Sequence, residues 1–230
     1  MKIISVTKEK ILIGIYLLVI IIGLMVTAKN ETVMTSTISM PLPKKIILID
    51  AGHGGSDPGK VSGGTQEKTI NLAIAQKLQA YLEQADAMTF MTRVDDSDLA
   101  NTKKSDMYSR KLTADTSSAD IFVSIHQNSY PNNSASGAQV FYFNSSENSK
   151  RLAQCIQNEL RSFINNNNKR EVSQNSSYYI LKNTSMPAVI VECGFLTNPD
   201  EKNKLLDADY QDRIAWAVYM GIVDYFRQSK

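Results

Sequence analysis

Apolar residues fall along this chain in short blocks, and the blocks alternate between two periods. Lys45–Asp50 (KIILID) is a compact apolar run ending in Ala51-Gly52-His53-Gly54-Gly55, which predicts a strand feeding a tight turn. Over residues 67–85, Ile70, Ile74, Leu78 and Leu82 recur at i, i+4 spacing, the stripe of an amphipathic helix with Thr65 as its expected N-cap. Met88–Thr92 predicts a second strand and residues 105–117 a second helix. Ile121–His126 (IFVSIH) and Ala138–Asn144 (AQVFYFN) predict two more strands. Glu147–Ile164 returns to the helical period through Leu152, Ile156, Leu160 and Ile164, and four consecutive asparagines, Asn165–Asn168, must turn. Tyr178–Leu181 and Ala188–Glu192 (AVIVE) predict further strands, and Tyr210–Phe226 closes the chain as a helix with Ile214, Ala217, Val218 and Ile222 on one face.

Strands alternating with helices specify an α/β fold, with a mostly parallel central sheet and helices on both faces. Residues 45–230 fit one domain of ordinary size, with no internal repeat.

The N-terminus follows a different pattern. Ile11–Val26 is uninterrupted by charge, and Thr27-Ala28 extend the run to 18 residues, enough for a membrane helix. Lys2, Lys8 and Lys10 precede it and place the N-terminus in the cytoplasm and the body outside. Val26-Thr27-Ala28 also resembles a small-residue cleavage site, so residues 1–28 read either as a transmembrane anchor or as a signal peptide, and both export the body. Residues 29–44, polar and then proline-containing, form a linker.

Charge sharpens this division. Residues 1–29 carry four lysines against one acid, Glu9, while the remainder holds 21 basic and 22 acidic side chains. The near-neutral body lacks the basic field that nucleic-acid binding requires, so no nucleic-acid partner is expected. Cys155 and Cys193 are free to pair in an oxidising compartment, although Cys193 follows a strongly apolar run and reads as a buried thiol.

The candidate chemistry lies at strand ends. The chain has only two histidines, His53 and His126, and each follows or ends a predicted strand, as does Glu192. Open α/β sheets place ligand sites at the carboxyl ends of their strands. Glu67 enters the first turn of the helix after the Gly-rich loop. Two histidines and a carboxylate with a fourth position open form a catalytic zinc arrangement, and a second carboxylate can move protons. His53, Glu67 and His126 serve as ligands and Glu192 as that second carboxylate; on spacing alone the two glutamates can exchange roles. Blander readings exist for each residue: a hydrogen-bonded structural histidine, or a Glu67 that favours a helix N-terminus through the dipole. Glu192 resists such a reading, because a carboxylate ending an apolar strand is costly unless paired or metal-bound. The His53-Gly54-Gly55 loop lacks the Gly-Lys-Ser/Thr of a phosphate loop and the spacing of a dinucleotide fingerprint.

Four segments taken in order resemble a known family. Asp50–Gly55, Glu67, Ser124–Asn128 (SIHQN) and Val191–Asn198 (VECGFLTN) resemble the zinc-dependent N-acetylmuramoyl-L-alanine amidases of the amidase-3 type, over residues 45–228. The resemblance implies one Zn²⁺ per chain held by His53, Glu67 and His126, with Glu192 as general base and acid. It implies hydrolysis of the amide joining N-acetylmuramic acid to the L-alanine of the peptidoglycan stem peptide. Asn128 and Arg93 match family positions that fit substrate contact, and Asp50 fits a carboxylate that orients a ligand histidine. Lys60 and Cys193 depart from residues common in relatives, without removing catalytic chemistry. The compact length, the membrane segment and the closing Ile214–Phe226 stretch resemble the CwlD-type branch, which trims spore-cortex peptidoglycan ahead of muramic-lactam formation. The family also implies a protein partner that activates the enzyme. The competing functions are a zinc deacetylase or peptidase acting on another amide, and a peptidoglycan-binding module with an inactive site.

Overall fold

The computed structural model describes residues 41–228; the segment 11–28 lies outside them. Eight strands and six helices follow in order: β1 (Ile46–Ala51), β2 (Val61–Ser62), β3 (Thr65–Gln66), α1 (Glu67–Gln84), β4 (Met88–Met91), α2 (Lys103–Thr116), β5 (Ile121–Asn128), β6 (Gln139–Tyr142), α3 (Glu147–Phe163), β7 (Ser173–Gln174), α4 (Tyr179–Asn183), β8 (Ala188–Phe195), α5 (Pro199–Leu205) and α6 (Ala208–Arg227). Among the described residues, no helix is long and apolar enough to cross a membrane.

Six strands form one sheet in the order β4-β1-β5-β8-β6-β7, and β2 and β3 pair separately. β4, β1, β5 and β8 run parallel, whereas β6 is antiparallel to β8. The parallel core agrees with the sequence pattern for a physical reason. β8 is buried at every position, as is β1 from Ile47 onward, because helices cover both faces of a parallel sheet and each strand then reads as a continuous apolar run. Edge strand β4 instead alternates exposed and half-buried residues.

One face carries most of the core. Ile70, Ile74, Leu78 and Leu82 of α1, Leu152, Ile156 and Leu160 of α3, and Ile214, Val218 and Ile222 of α6 pack with Ile47, Ile49, Val123 and Val191 from the sheet. The other face is thinner: Ala114 of α2 and Ile180 and Leu181 of α4 cover Leu48, Phe122 and Ile190. Helices α3 and α6 meet at backbone distance at Gly221, where an added Cβ would lie 2.5 Å from Ile156 Cα and 2.8 Å from Ile156 N. Gly221→Ala is therefore expected to destabilise the fold by about 1–3 kcal/mol through overpacking. An unchanged urea midpoint would contradict this crossing.

Two local expectations are corrected. Tyr178–Leu181 is not a strand; Tyr179–Asn183 is helix α4. Asn175 Oδ1 accepts from Ser177 N, Ser177 Oγ and Tyr178 N, and this side-chain turn redirects the chain before the apolar residues can extend. Thr65 does not cap α1, because it is held in the β2–β3 hairpin opposite Ser62. The cap residue Gln66 makes no side-chain bond, and carbonyls of the preceding loop take the first donors: Glu67 N to Lys60 O at 2.9 Å and Lys68 N to Pro58 O at 3.2 Å. Cys193 is the buried thiol that its apolar run suggests, and neither it nor Cys155 is paired.

Candidate metal centre

Three neighbouring parallel strands deliver the site. β1 ends at Ala51, so His53 stands just beyond it, and in the β5–β8 pairing His126 lies opposite Glu192. Glu67, the first residue of α1, reaches the same point because the loop between β1 and α1 folds back on itself. Glu67 is 4% exposed and bridges the two imidazoles: Oε2 lies 3.3 Å from His53 Nε2 and Oε1 lies 3.0 Å from His126 Nδ1. Backbone donors fix it further, Lys60 N at 2.8 Å and Gln127 N at 3.1 Å. Burial alone would raise its pKa, but hydrogen bonds from His126 and His53 outweigh that and hold it far below the usual carboxylate range.

Two further groups orient the imidazoles. His53 Nδ1 meets Asp57 Oδ2 at 2.8 Å, which turns Nε2 toward Glu67. His126 lies flat against Gly52, where an added Cβ would fall 2.2 Å from Nε2. Only glycine leaves room for the ring there.

His53, Glu67 and His126 each offer one ligand atom, all within 4.8 Å of one another. Two imidazole nitrogens and a carboxylate oxygen suit zinc. Glu192 adds an independent sign of fit. It is 8% exposed, its Oε2 is buried without a hydrogen-bond partner, and it lines the same cavity. An unpartnered buried carboxylate oxygen is costly unless something fills the space before it. Burial, reinforced by the negative charge of Glu67 and opposed by the two histidines, pushes the Glu192 carboxyl up to about 7.

A stability prediction follows for the metal-free protein. With its folded pKa raised, the contribution of Glu192 is fully present below the unfolded value of about 4.3, and it is lost as pH rises through about 7. At pH 8, Glu192→Gln should therefore be more stable than the wild type, by on the order of 3 kcal/mol, with little difference at about pH 4. Equal denaturation midpoints at both pH values would show that the buried charge carries no such cost.

A family model for N-acetylmuramoyl-L-alanine amidases matches residues 47–224. The germination-specific N-acetylmuramoyl-L-alanine amidase of Bacillus subtilis is 37% identical over 199 residues, 83% of this chain and 84% of that protein. This chain belongs to the N-acetylmuramoyl-L-alanine amidases. The CwlD amidase from Clostridioides difficile, solved in complex with the GerS lipoprotein, matches with a TM-score of 0.77 at 40% identity, covering 80% of this chain and 99% of that one. A second N-acetylmuramoyl-L-alanine amidase structure from Clostridium difficile 630 matches with a TM-score of 0.74 at 36% identity, covering 81% and 98%. The chain is thus a CwlD-like amidase.

The amidase opens at this point into a cavity of about 470 Å³, the scale of a small-ligand site. Asn128 and Tyr178 line it beside the histidines and Glu192. Asn128 therefore stands where substrate contact is feasible. Arg93 does not: it is 3% exposed, and its guanidinium donates to the carbonyls of Ala51, Gly52, Lys68 and Asp95. It ties the loop together and presents nothing to a ligand. Asp50 also departs from expectation. Its carboxylate accepts from Arg110, Ser124 and Thr92, while Asp57 takes the place on His53. Asp57 escaped the sequence reading, although a carboxylate four residues after a histidine in a Gly-rich loop was its visible signal.

Proposed function

We propose that this amidase is a zinc hydrolase that cleaves the amide between N-acetylmuramic acid and the L-alanine of the peptidoglycan stem peptide. The convergence of His53, Glu67 and His126 beside Glu192, whose buried Oε2 has no hydrogen-bond partner, carries the reading. Zinc held by His53, Glu67 and His126 would supply Lewis acidity to the scissile carbonyl and lower the pKa of the attacking water. Glu67 neutralises part of the metal charge, and Asp57 keeps His53 Nδ1 protonated so that Nε2 faces inward. Glu192 removes a proton from the attacking water and returns it to the L-alanine nitrogen as the C–N bond breaks. The products are a free lactyl carboxylic acid on the glycan and a stem peptide with a free N-terminal L-alanine.

The bond is tested on purified peptidoglycan, with products identified by mass spectrometry. Stem peptides beginning with L-alanine support the amidase reading. Acetate release without them would mark a deacetylase, and cleavage within the peptide would mark a peptidase.

The similarity to a germination-specific amidase supports a role in spore-cortex maturation, ahead of muramic-lactam formation. In that role residues 1–28 export the catalytic domain, residues 45–230, and hold it at the membrane if they are not cleaved. The complex of the C. difficile CwlD amidase with a lipoprotein supports an activating protein partner for this chain as well. Spores of a deletion strain should contain cortex lacking muramic lactam. Normal lactam content would contradict the cortex role while leaving the amidase chemistry intact.

A further inference from the structure

His53 adopts a left-handed backbone conformation, with φ of 61°. A non-glycine residue pays for this, so the surrounding structure must impose it. The three carbonyls leading into the turn show how. Ala51 O accepts from Arg93 Nε at 2.9 Å and Arg110 Nη1 at 3.0 Å. Gly52 O accepts from Arg93 Nη2 at 3.1 Å and Asn71 Nδ2 at 3.0 Å. His53 O accepts from Arg110 Nη2 at 2.8 Å.

We propose that Arg110 is the positioning residue of the metal centre, holding the His53 backbone in its left-handed conformation so that Nε2 stays on Glu67. Of the two arginines, Arg110 is the one that grips His53 itself. It is 2% exposed and fully anchored: Nη1 donates to Asp50 Oδ1 at 2.5 Å and Nε to Asp106 Oδ1 at 2.7 Å. Asp50 is in turn fixed by Ser124 Oγ at 2.5 Å and Thr92 Oγ1 at 2.7 Å. The chain of contacts therefore runs from β5 and the end of β4, through Asp50 on β1, to Arg110 on α2 and then to the histidine. Only a planar fork can hold Asp50, the Ala51 carbonyl and the His53 carbonyl at once; an ammonium group cannot reproduce that geometry. Asp50 thus acts on the ligand histidine at one remove, through Arg110.

The inference rests on His53 being a metal ligand. It is tested by chelator competition for zinc on the whole protein, beside thermal denaturation of the metal-free form. Arg110→Lys keeps the positive charge against Asp50 but loses the fork, and should weaken zinc binding by about 10–100-fold. Asp106→Asn removes one anchor of the same guanidinium and should give a smaller loss in the same direction; it carries the test if Arg110→Lys does not fold. Leu160→Ala, in the core of α3 and away from the loop, should lower the denaturation midpoint without changing zinc affinity. Wild-type affinity in both the Arg110 and Asp106 variants would overturn the proposal, and so would an equal loss in Leu160→Ala, which would mark general destabilisation. A wild-type protein that binds no zinc would instead remove the ligand assignment on which the proposal stands.

Discussion

Glu192→Gln will abolish turnover while leaving the metal in place. Glutamine keeps the shape and the polar end of the side chain but cannot take a proton from water or deliver one to a departing nitrogen. A positioned acid or base contributes about 10²–10⁴-fold, and in the proposed mechanism one side chain serves both steps, so the expected loss is at least about 10³-fold in kcat. Glu192 is not among the three clustered ligand residues, so zinc stoichiometry should stay at the wild-type value. The pH profile separates this from a packing defect. The wild-type rate should fall on the acid side as Glu192 becomes protonated, and the residual rate of the variant should lack that limb. A variant retaining more than about a tenth of wild-type kcat would remove Glu192 from the proton-transfer role.

His126→Ala is expected to do the reverse, losing metal and activity together. His126 supplies one of three candidate ligand atoms, and its ring is held against Gly52 with Nδ1 toward Glu67. Truncation should weaken zinc by more than the ~10–100-fold typical of changes to a supporting residue. Linkage gives a second readout. A ligand at 100 times its Kd stabilises the folded state by about 2.7 kcal/mol, so zinc should raise the wild-type Tm and leave the variant's Tm unmoved. Glu192→Gln should keep the full zinc response. An unchanged zinc stoichiometry in His126→Ala would exclude it from the ligand set.

Much of this was legible in the amino-acid sequence, for physical reasons that also mark where legibility ended. Central strands buried on both faces must be continuously apolar, so KIILID, IFVSIH and AVIVE announced β1, β5 and β8. Helices covering the main core must repeat at i, i+4, so α1, α3 and α6 were equally visible. Elements set by one turn were not. The apolar residues after Asn175 fit a strand by pattern, and only the side-chain turn at Asn175 makes them helical. β2 and β3 are two residues each, too short for any periodicity to register.

The site divides in the same way. With only two histidines in the chain, both at strand ends, His53 and His126 stood out, and Glu192 was conspicuous as a carboxylate in an apolar strand. Asp57 and Gly52 were hidden because their roles arise from loop geometry: the left-handed turn at His53 swings Asp57 against the ring, and the close approach of His126 demands glycine. The carbonyl contacts of Arg93 were hidden for a related reason. A strand that ends in a turn leaves carbonyls without partners, and a buried arginine satisfies them, a need that appears only once the chain is folded.

X-ray absorption at the zinc edge of the purified protein tests the central claim most directly. One zinc per chain is expected, with imidazole nitrogens at about 2.0–2.1 Å, carboxylate oxygen at about 2.0–2.2 Å and no sulfur shell. Absence of bound zinc in active protein, or a sulfur neighbour at about 2.3 Å, would contradict it.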